Sequence, residues 1–341
     1  MHNSLTCPTR SQFMANFKAL VGMLLASVAL ITGMLGAAPL LADTAKPERC
    51  STPIETGHGK AHQVEVDGHP IALWSKSPAQ PKATLLLIHG RTWSGKPDFD
   101  LATACEDLSL MNGLFEQGIE TFAADMRGYG QTPRDESGWL TPNRAAEDIA
   151  GVLRWLQTRA FKRGDAQPKP HLFGWSYGAT MAQLTLQQHP DLAQSLTLFG
   201  YAVRKGYHKL PVNQPQVPAR AANSYANAIS DFIVPDAISD GAIEAFAKSA
   251  LKADPVRADW TAQDQWRALD GKQVQQPTLL LQGEFDPLTR KRVHRKLFRR
   301  LPNPEKQWVV IKGGDHAAFM ETPRKKFVEQ LSMFVLTNHK E

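Results

Sequence analysis

A strand-like run, a serine between two glycines and the start of a helix-forming run follow one another in His171-Leu172-Phe173-Gly174-Trp175-Ser176-Tyr177-Gly178. This order predicts a sharp turn between a strand and a helix, in which strained backbone geometry exposes the Ser176 hydroxyl as a nucleophile. The small residues Gly174 and Gly178 let the turn approach neighbouring strands. The helix after the turn directs backbone N–H groups at negative charge that forms near Ser176.

Two later residues supply the base and the acid that such a serine needs. A serine hydroxyl is a poor nucleophile until a histidine accepts its proton, and a carboxylate orients that histidine. Asp286 and His316 each follow a late strand-like run, and strand ends are where sites assemble in α/β sheets. We therefore predict Ser176 as the nucleophile, His316 as the base and Asp286 as the acid. Asp315 and Glu284 are the alternative acids.

An earlier loop supplies a further part of the predicted site. His89-Gly90-Arg91-Thr92-Trp93 follows an apolar strand-like run. The oxyanion of an acyl-transfer intermediate needs two N–H donors, one just after the nucleophile and one from this loop. The predicted backbone donors are Tyr177 and Arg91. The Arg91 side chain either points into the site or turns outward to pair with Asp98 or Asp100.

Three aromatic residues lie beside these loops in the sequence, namely Trp93, Trp175 and Phe319. If they face inward, the substrate pocket favours apolar or aromatic acyl and alcohol groups. Packing in the protein core is the alternative for Trp175.

Strand-like and helix-like runs alternate along the chain. A hairpin is predicted around Asp67-Gly68, and the run Asp125-Met126-Arg127-Gly128-Tyr129-Gly130 is predicted as a structural turn in which Arg127 pairs with a carboxylate. Further strands are predicted at 84–88, 121–124, 171–173, 195–199, 277–282 and 307–311, with helices at 143–158, 180–188 and 323–336. This alternation is typical of an α/β protein with an open, mostly parallel sheet covered by helices on both sides.

The alternation stops between residues 201 and 276. This stretch has helix-like pieces and no convincing buried strand. A connection of this length inside a compact domain usually has a binding or lid role. We therefore predict a cap or lid insertion at 201–276 in a core domain formed by 60–200 and 277–341.

The first 42 residues have the pattern of an export signal. Basic residues precede an apolar run, and no acidic residue occurs before Asp43. The predicted signal peptide is 1–42, followed by a linker at 43–59; an uncleaved membrane anchor is the alternative, because the apolar run is long. Export to the periplasm or outside the cell would leave Cys50 and Cys105 in an oxidising compartment, either as a disulfide or as two thiols.

Composition limits the possible partners. The chain has 341 residues and a formal net charge of +6, an excess too small to require a nucleic-acid partner. Its 3 cysteines lack the paired spacing of the common zinc modules. Residues 290–300 include 7 basic side chains, interspersed with apolar ones. A helix with a solvated basic face explains this run, and attraction to an anionic envelope or substrate is the alternative.

The order of strand, His-Gly loop, Asp-x-Arg-Gly-x-Gly, serine turn, insertion, late Asp and late His resembles the α/β-hydrolase superfamily, in its capped branch with esterases and proline iminopeptidases. The resemblance extends over 83–336. It implies an eight-stranded, mostly parallel sheet, no metal or organic cofactor, and Ser176, Asp286 and His316 as the catalytic triad. The chain departs from the common pattern after His89-Gly90, where the superfamily frequently has a small residue or Phe before Pro.

Three functions are compatible with these residues. The first is an exported serine esterase that acts on a small-molecule ester of small or medium size. The second is an exported aminopeptidase with the same triad, in which a cap carboxylate binds the substrate amino group. The candidates for that carboxylate are Asp231, Asp236, Asp240 and Glu244. The third is a binding protein without catalysis. The sequence does not indicate an oligomeric state.

Overall fold

The structure is a computed structural model that describes residues 59–103, 106–164, 169–201 and 217–339. The strands are β1 (Lys60–Val66), β2 (His69–Lys76), β3 (Ala83–Ile88), β4 (Ile119–Ala124), β5 (Trp139–Leu140), β6 (His171–Trp175), β7 (Leu196–Phe199), β8 (Asp259–Trp260), β9 (Thr278–Gly283) and β10 (Lys306–Ile311). The α-helices are α1 (Gly95–Phe99), α2 (Leu110–Glu116), α3 (Pro142–Arg163), α4 (Tyr177–Gln188), α5 (Tyr225–Ala228), α6 (Asp240–Ala253), α7 (Lys291–Arg300) and α8 (Arg324–Thr337).

Eight of the described strands form one sheet in the order β1-β2-β4-β3-β6-β7-β9-β10. Every neighbouring pair from β4 to β10 is parallel, and β2 runs antiparallel to both of its neighbours. Leu86 and Ile88 of β3 enter one hydrophobic core and Leu85 and Leu87 enter another, because successive side chains of a strand point to opposite faces. The predicted fold class, a mostly parallel sheet flanked by helices, is confirmed.

The β1–β2 hairpin forms as its sequence predicts. Val66 pairs with His69 across a two-residue turn. Asp67 has φ 49° and Gly68 has φ 70°, and two consecutive positive φ values are what an Asp-Gly hairpin turn adopts most readily.

Helices cover both faces of the sheet. The apolar faces of α3 and α4 pack in one core, and those of α2, α6 and α8 pack in the other. The Thr141 side chain caps the first turn of α3, and Gly164 ends the helix with φ 96°. The prediction missed α1 and α2, because 5 and 7 residues are too few to show a helical period.

A buried ion pair fixes the turn after β4. Nε and Nη2 of Arg127 donate to the two carboxylate oxygens of Asp148 on α3 at 2.7 and 2.8 Å. Asp148 is fully buried. Loss of one partner of such a pair typically costs about 3–5 kcal/mol, because the other charge is left buried. The predicted pairing of Arg127 with a carboxylate is therefore confirmed.

Residues 217–276, called the inserted segment below, connect β7 to β9 through the described part of the predicted cap. They contain α5, α6, β8 and 3₁₀ turns at Gln263–Ala268 and Gly271–Gln273. The expectation that this stretch has no buried strand was wrong at β8, which pairs in parallel with β5 and buries Trp260. Two residues are too few to show strand alternation. The cap role remains a prediction.

Several predictions concern residues outside the described ranges. They are the signal or anchor at 1–42, nearly all of the linker at 43–59, and the pairing of Cys50 with Cys105. Within the described ranges, none of the helices has both the length and the apolar character that crossing a membrane requires.

Candidate active site

The backbone at Ser176 is strained and tightly enclosed. Ser176 lies between β6 and α4 with φ 55° and ψ −115°, outside the regions that non-glycine residues normally adopt. An added Cβ on Gly174 would lie 2.3 Å from the carbonyl oxygen of Gly178, and one on Gly178 would lie 2.3 Å from that of Ile88. Both positions therefore require glycine. Strain of this kind costs about 1–3 kcal/mol and persists only where surrounding structure holds it.

The structure brings His316 and Asp286 together. Nδ1 of His316 lies 2.8 Å from Oδ2 of Asp286. Oδ1 of Asp286 accepts from the backbone N–H groups of Leu288 at 2.8 Å and Thr289 at 3.2 Å. The ionised carboxylate only accepts, so Nδ1 of the imidazole carries the proton. Nε2 is then the nitrogen with a free lone pair, which a general base needs.

Two sets of contacts connect the Ser176 turn to His316. The indole N–H of Trp175 donates to the carbonyl of His316 at 2.7 Å. The backbone N–H of Ser176 donates to the carbonyl of Phe199 at 2.8 Å. The next residue, Gly200, faces the imidazole so closely that an added Cβ would lie 2.9 Å from its Cε1. The serine turn and the histidine loop are thus held side by side.

The loop after β3 also borders the serine. Nε2 of His89 accepts from the backbone N–H of Met126 at 3.0 Å, so its Nδ1 donates to the carbonyl of Gly90 at 2.7 Å. Burial lowers the pKa of His89 to about 4, so this histidine is neutral at pH 7 and fixes the loop. An added Cβ on Gly90 would lie 3.6 Å from Cβ of Ser176. The predicted donor Arg91 is the next residue.

The Arg91 side chain takes neither predicted carboxylate partner. Its guanidinium carbon lies 5.5 Å from the ring centre of Tyr177, and the side chain is exposed. The expected outward pairing with Asp98 or Asp100 was wrong, because α1 turns both carboxylates into the protein. Asp100 accepts from Lys76 Nζ at 2.6 Å. Burial raises the pKa of Asp98 well above its usual value.

The three aromatic residues proposed for the pocket are packed in the core. Trp93, Trp175 and Phe319 are exposed by 1%, 2% and 0%. Trp175 lies 5.6 Å from the His316 ring and 4.9 Å from Phe319, centre to centre. Trp93 packs 6.4 Å from Phe246 of α6. Their burial favours core packing, which was the alternative for Trp175. These rings therefore support the loops of the site.

Charge around His316 favours its protonated form. Burial acts to lower the pKa of His316, but the hydrogen bond and charge of Asp286, with the charges of Asp231 and Asp315, outweigh burial and raise this pKa above 6.5. Burial acts to raise the pKa of Asp286, but the hydrogen bond and charge of His316, together with the hydrogen bonds from Leu288 and Thr289, outweigh burial and lower this pKa. The pair therefore consists of an ionised carboxylate and an imidazole that accepts a proton readily.

Asp315 anchors the inserted segment to the histidine loop. Its Oδ2 accepts from the backbone N–H groups of Ile233 at 2.6 Å and Val234 at 2.9 Å, and its Oδ1 accepts from Ala317 at 2.8 Å. Oε2 of Glu321 accepts from the backbone N–H of Asp315 at 3.0 Å. Burial, and after it the hydrogen bond and charge of Asp315, raise the pKa of Glu321 to about 9. Sequence reasoning considered Asp315 only as an alternative acid, and no local pattern predicts its distant amide partners.

Asp231 is the carboxylate of the inserted segment that lies within electrostatic reach of the site. Burial raises its pKa, the charge of His316 lowers it, and Asp315 and Asp286 raise it further. Of the other cap candidates, Glu244 pairs with Lys248 on α6 at 2.9 Å, and Asp236 and Asp240 are exposed. Among the described residues, the His, Cys, Asp and Glu side chains form no group of three or more that could hold a metal ion.

A family of hydrolases and several solved hydrolase structures resemble this chain. A family model described as serine aminopeptidase, S33, matches residues 79–323. A comparison with curated proteins returned no match. Among solved structures, the fold is similar to an esterase from Thermogutta terrifontis with 17% identity and a TM-score of 0.57, covering 82% of this chain and 100% of that chain.

Two further solved structures share the fold. A membrane phospholipase A described as a bacterial virulence factor has 19% identity and a TM-score of 0.58, covering 83% of this chain and 87% of that chain. A monoacylglycerol lipase from Paleococcus ferrophilus has 18% identity and a TM-score of 0.53, covering 78% of this chain and 99% of that chain. At these identities the likeness concerns the fold alone.

The raised pKa of His316 predicts a pH dependence of ester hydrolysis. A general base acts only when unprotonated, so kcat/KM should fall as the pH drops through a pKa above 6.5. Asp286→Asn removes the charge that raises this pKa. The acid limb of the profile should therefore move to lower pH, and kcat should fall by about 10⁴-fold, because the imidazole loses its orienting carboxylate.

Glu284→Gln is the matched control for this prediction. Glu284 lies on the same loop, and its Oε2 accepts from the backbone N–H of Gly313 at 2.9 Å. Its substitution should leave the acid limb in place. Equal losses of kcat in the two variants, or an unmoved limb in Asp286→Asn, would contradict the assignment of Asp286.

Proposed function

Because this chain belongs to the serine aminopeptidase S33 family, we propose that it is an exported serine hydrolase that cleaves carboxylic esters of small or medium size with apolar or aromatic groups. The chain is a hydrolase of the α/β-hydrolase superfamily, and the resemblance noted in its sequence is confirmed. The observation that carries the ester proposal is the His316–Asp286 pair at 2.8 Å, packed beside the strained Ser176 turn.

In the proposed mechanism, Oγ of Ser176 attacks the ester carbonyl while Nε2 of His316 takes the hydroxyl proton. Asp286 holds Nδ1–H and stabilises the imidazolium. Backbone N–H groups of Tyr177 and Arg91 stabilise the oxyanion. His316 then gives its proton to the leaving alkoxide, so that the alcohol departs and an acyl-Ser176 remains. Water, deprotonated by the same imidazole, then attacks the acyl carbon. The bond from that carbon to Oγ breaks, the imidazolium returns its proton to Oγ of Ser176, and the acid leaves.

Buried aromatic side chains surround the start of α4, directly after Ser176. Trp175 and Tyr177 flank the serine in sequence, and the hydroxyl of Tyr177 accepts from the indole N–H of Trp266 at 2.6 Å. The Tyr177 ring also lies edge-on to Trp260, with 4.7 Å between ring centres. Aromatic side chains from the inserted segment thus pack at the start of α4. These buried rings hold the serine turn and the start of α4 in place.

A second candidate function is an aminopeptidase with the same triad. The observation that favours it is Asp231, whose carboxylate lies close enough to His316 for their charges to act on each other. A substrate ammonium group beside Asp231 would be neutralised near the scissile carbonyl. In the ester hydrolase, the same carboxylate acts on the basicity of His316 and touches no substrate.

Covalent labelling tests the nucleophile. A fluorophosphonate probe should label the parent protein and fail to label Ser176→Ala, because the probe forms its bond with an activated serine. Hydrolysis of p-nitrophenyl esters should fall by about 10⁴-fold or more in the same variant. Ser137→Ala, at an exposed serine, is the control that should keep full labelling. Equal labelling of Ser176→Ala and the parent would overturn the proposed mechanism.

A comparison of two substrate series in Asp231→Asn separates the two functions. The parent should turn over p-nitrophenyl esters faster than aminoacyl p-nitroanilides. In Asp231→Asn, the acid limb of ester hydrolysis should shift to lower pH, because one charge that raises the His316 pKa is gone. KM for esters should change little. Faster anilide turnover in the parent, with an anilide KM raised by about tenfold or more in the variant, would establish the aminopeptidase instead.

Export is the part of the proposal that rests on residues 1–42 alone. The mature protein should begin near residue 39 or 43, as amino-terminal sequencing of secreted or periplasmic protein would show. Its remaining cysteines, Cys50 and Cys105, should give no free thiol when the denatured, unreduced protein is titrated. An intact amino terminus in the membrane fraction would favour the anchor, and two titratable thiols would exclude the disulfide.

A further inference from the structure

One face of α7 has an unusual arrangement of positive charge. The basic side chains of this face, called the basic face below, are Lys291, Arg292, Arg295, Lys296 and Arg299. All five are exposed, while His294 and Leu297 on the opposite side are buried. Within the described residues, none of the five has an ion-pair partner. The helix itself contains no acidic residue.

This arrangement of charge lowers the stability of α7. Lys291, Arg295 and Arg299 follow one another at intervals of four residues, a spacing at which like charges repel. Arg290 lies at the N-cap without a side-chain capping hydrogen bond. Together with Lys291 and Arg292, it places positive charge at the positive end of the helix dipole. The stability of α7 therefore does not account for the basic face.

Two exposed apolar side chains lie on the loop that leads into α7. Phe285 and Leu288, called the apolar tip below, are exposed by 55% and 46%. They flank Asp286, whose Oδ1 accepts from the backbone N–H of Leu288 at 2.8 Å. The tip is thus held by the same carboxylate that orients His316. A fixed apolar tip beside a row of unpaired cations is complementary to a surface that is anionic outside and apolar beneath.

We propose that the apolar tip and the basic face form a docking site for an anionic lipid surface. The cations would lie at the level of the lipid phosphates, and Phe285 and Leu288 would enter the boundary between headgroups and acyl chains. A nucleic acid would also attract the basic face, but it offers no apolar layer for the tip. The combination therefore favours lipid.

Docking by this surface would place the loop of Asp286 at the lipid boundary. Esters that partition into a membrane would then reach the site at a higher local concentration than esters in bulk water. This consequence rests on the proposed ester hydrolase, whereas the docking itself does not. Binding is therefore measured on Ser176→Ala protein from which the predicted signal peptide at 1–42 has been removed. Its apolar run then cannot bind the vesicles, and no hydrolysis alters the lipids.

The test is co-sedimentation with vesicles of phosphatidylcholine, with and without phosphatidylglycerol. The triple variant Lys291→Gln/Arg295→Gln/Arg299→Gln should bind the anionic vesicles roughly 100-fold more weakly than the Ser176→Ala background, from about fivefold for each charge. The control Lys162→Gln/Lys252→Gln/Lys325→Gln removes three exposed charges from other helices. It should lose no more than about twofold. Circular dichroism and thermal unfolding check that each variant is folded.

The apolar tip is tested in the same assay. Phe285→Ser/Leu288→Ser should weaken binding to anionic vesicles by about tenfold, from lost apolar contact with lipid. Phe161→Ser, at a Phe exposed by 73% on α3, should leave binding unchanged. Equal loss in the two charge triples, or no loss in the tip variant, would overturn the proposal. Loss of binding to a DNA duplex without loss of vesicle binding in the basic-face triple would assign the face to nucleic acid and also overturn it.

Discussion

The close approach of the Ser176 turn to β3 is the constraint on which the site depends. Gly178 lies so near the carbonyl groups at the end of β3 that no side chain fits, and Gly174 meets the same limit against Gly178. Ser176 has a positive φ at this approach, where β6 ends and α4 begins. It also brings the Gly90 loop beside the serine. The nucleophile and the predicted oxyanion donors are therefore positioned by one packing contact.

The parts of the fold that local chemistry determines could be predicted from sequence. The Asp67-Gly68 hairpin, the buried parallel strands and the turn at Ser176 each depend on neighbouring residues. The side chain of Arg91 and the burial of Trp93 could not be predicted in this way. Their positions depend on packing between elements far apart in the chain, such as Trp93 against Phe246 of α6.

The electrostatics of the site also have one part that sequence order predicts and one part that depends on packing between distant elements. The pairing of Asp286 with His316 follows from the order of residues along the chain, since each lies in the loop that follows one of two neighbouring strands. The effect of Asp231 on His316 depends on how the inserted segment folds over the sheet, which no local pattern describes. Burial and acidic neighbours act in opposite directions on this imidazole, and the neighbours prevail. Its basicity is thus a property of the assembled fold.

The bonds from Asp315 to the amides of Ile233 and Val234 have a consequence for local opening. If the inserted segment lifts away from the sheet, Oδ2 of Asp315 loses both of these amide donors, while Oδ1 keeps the N–H of Ala317. A buried carboxylate oxygen that loses its donors is costly, so the inserted segment and the histidine loop are expected to open as one cooperative unit. Openings of the inserted segment that admit bulky molecules would then also disturb His316. Access to the site and the reactivity of its general base are therefore coupled.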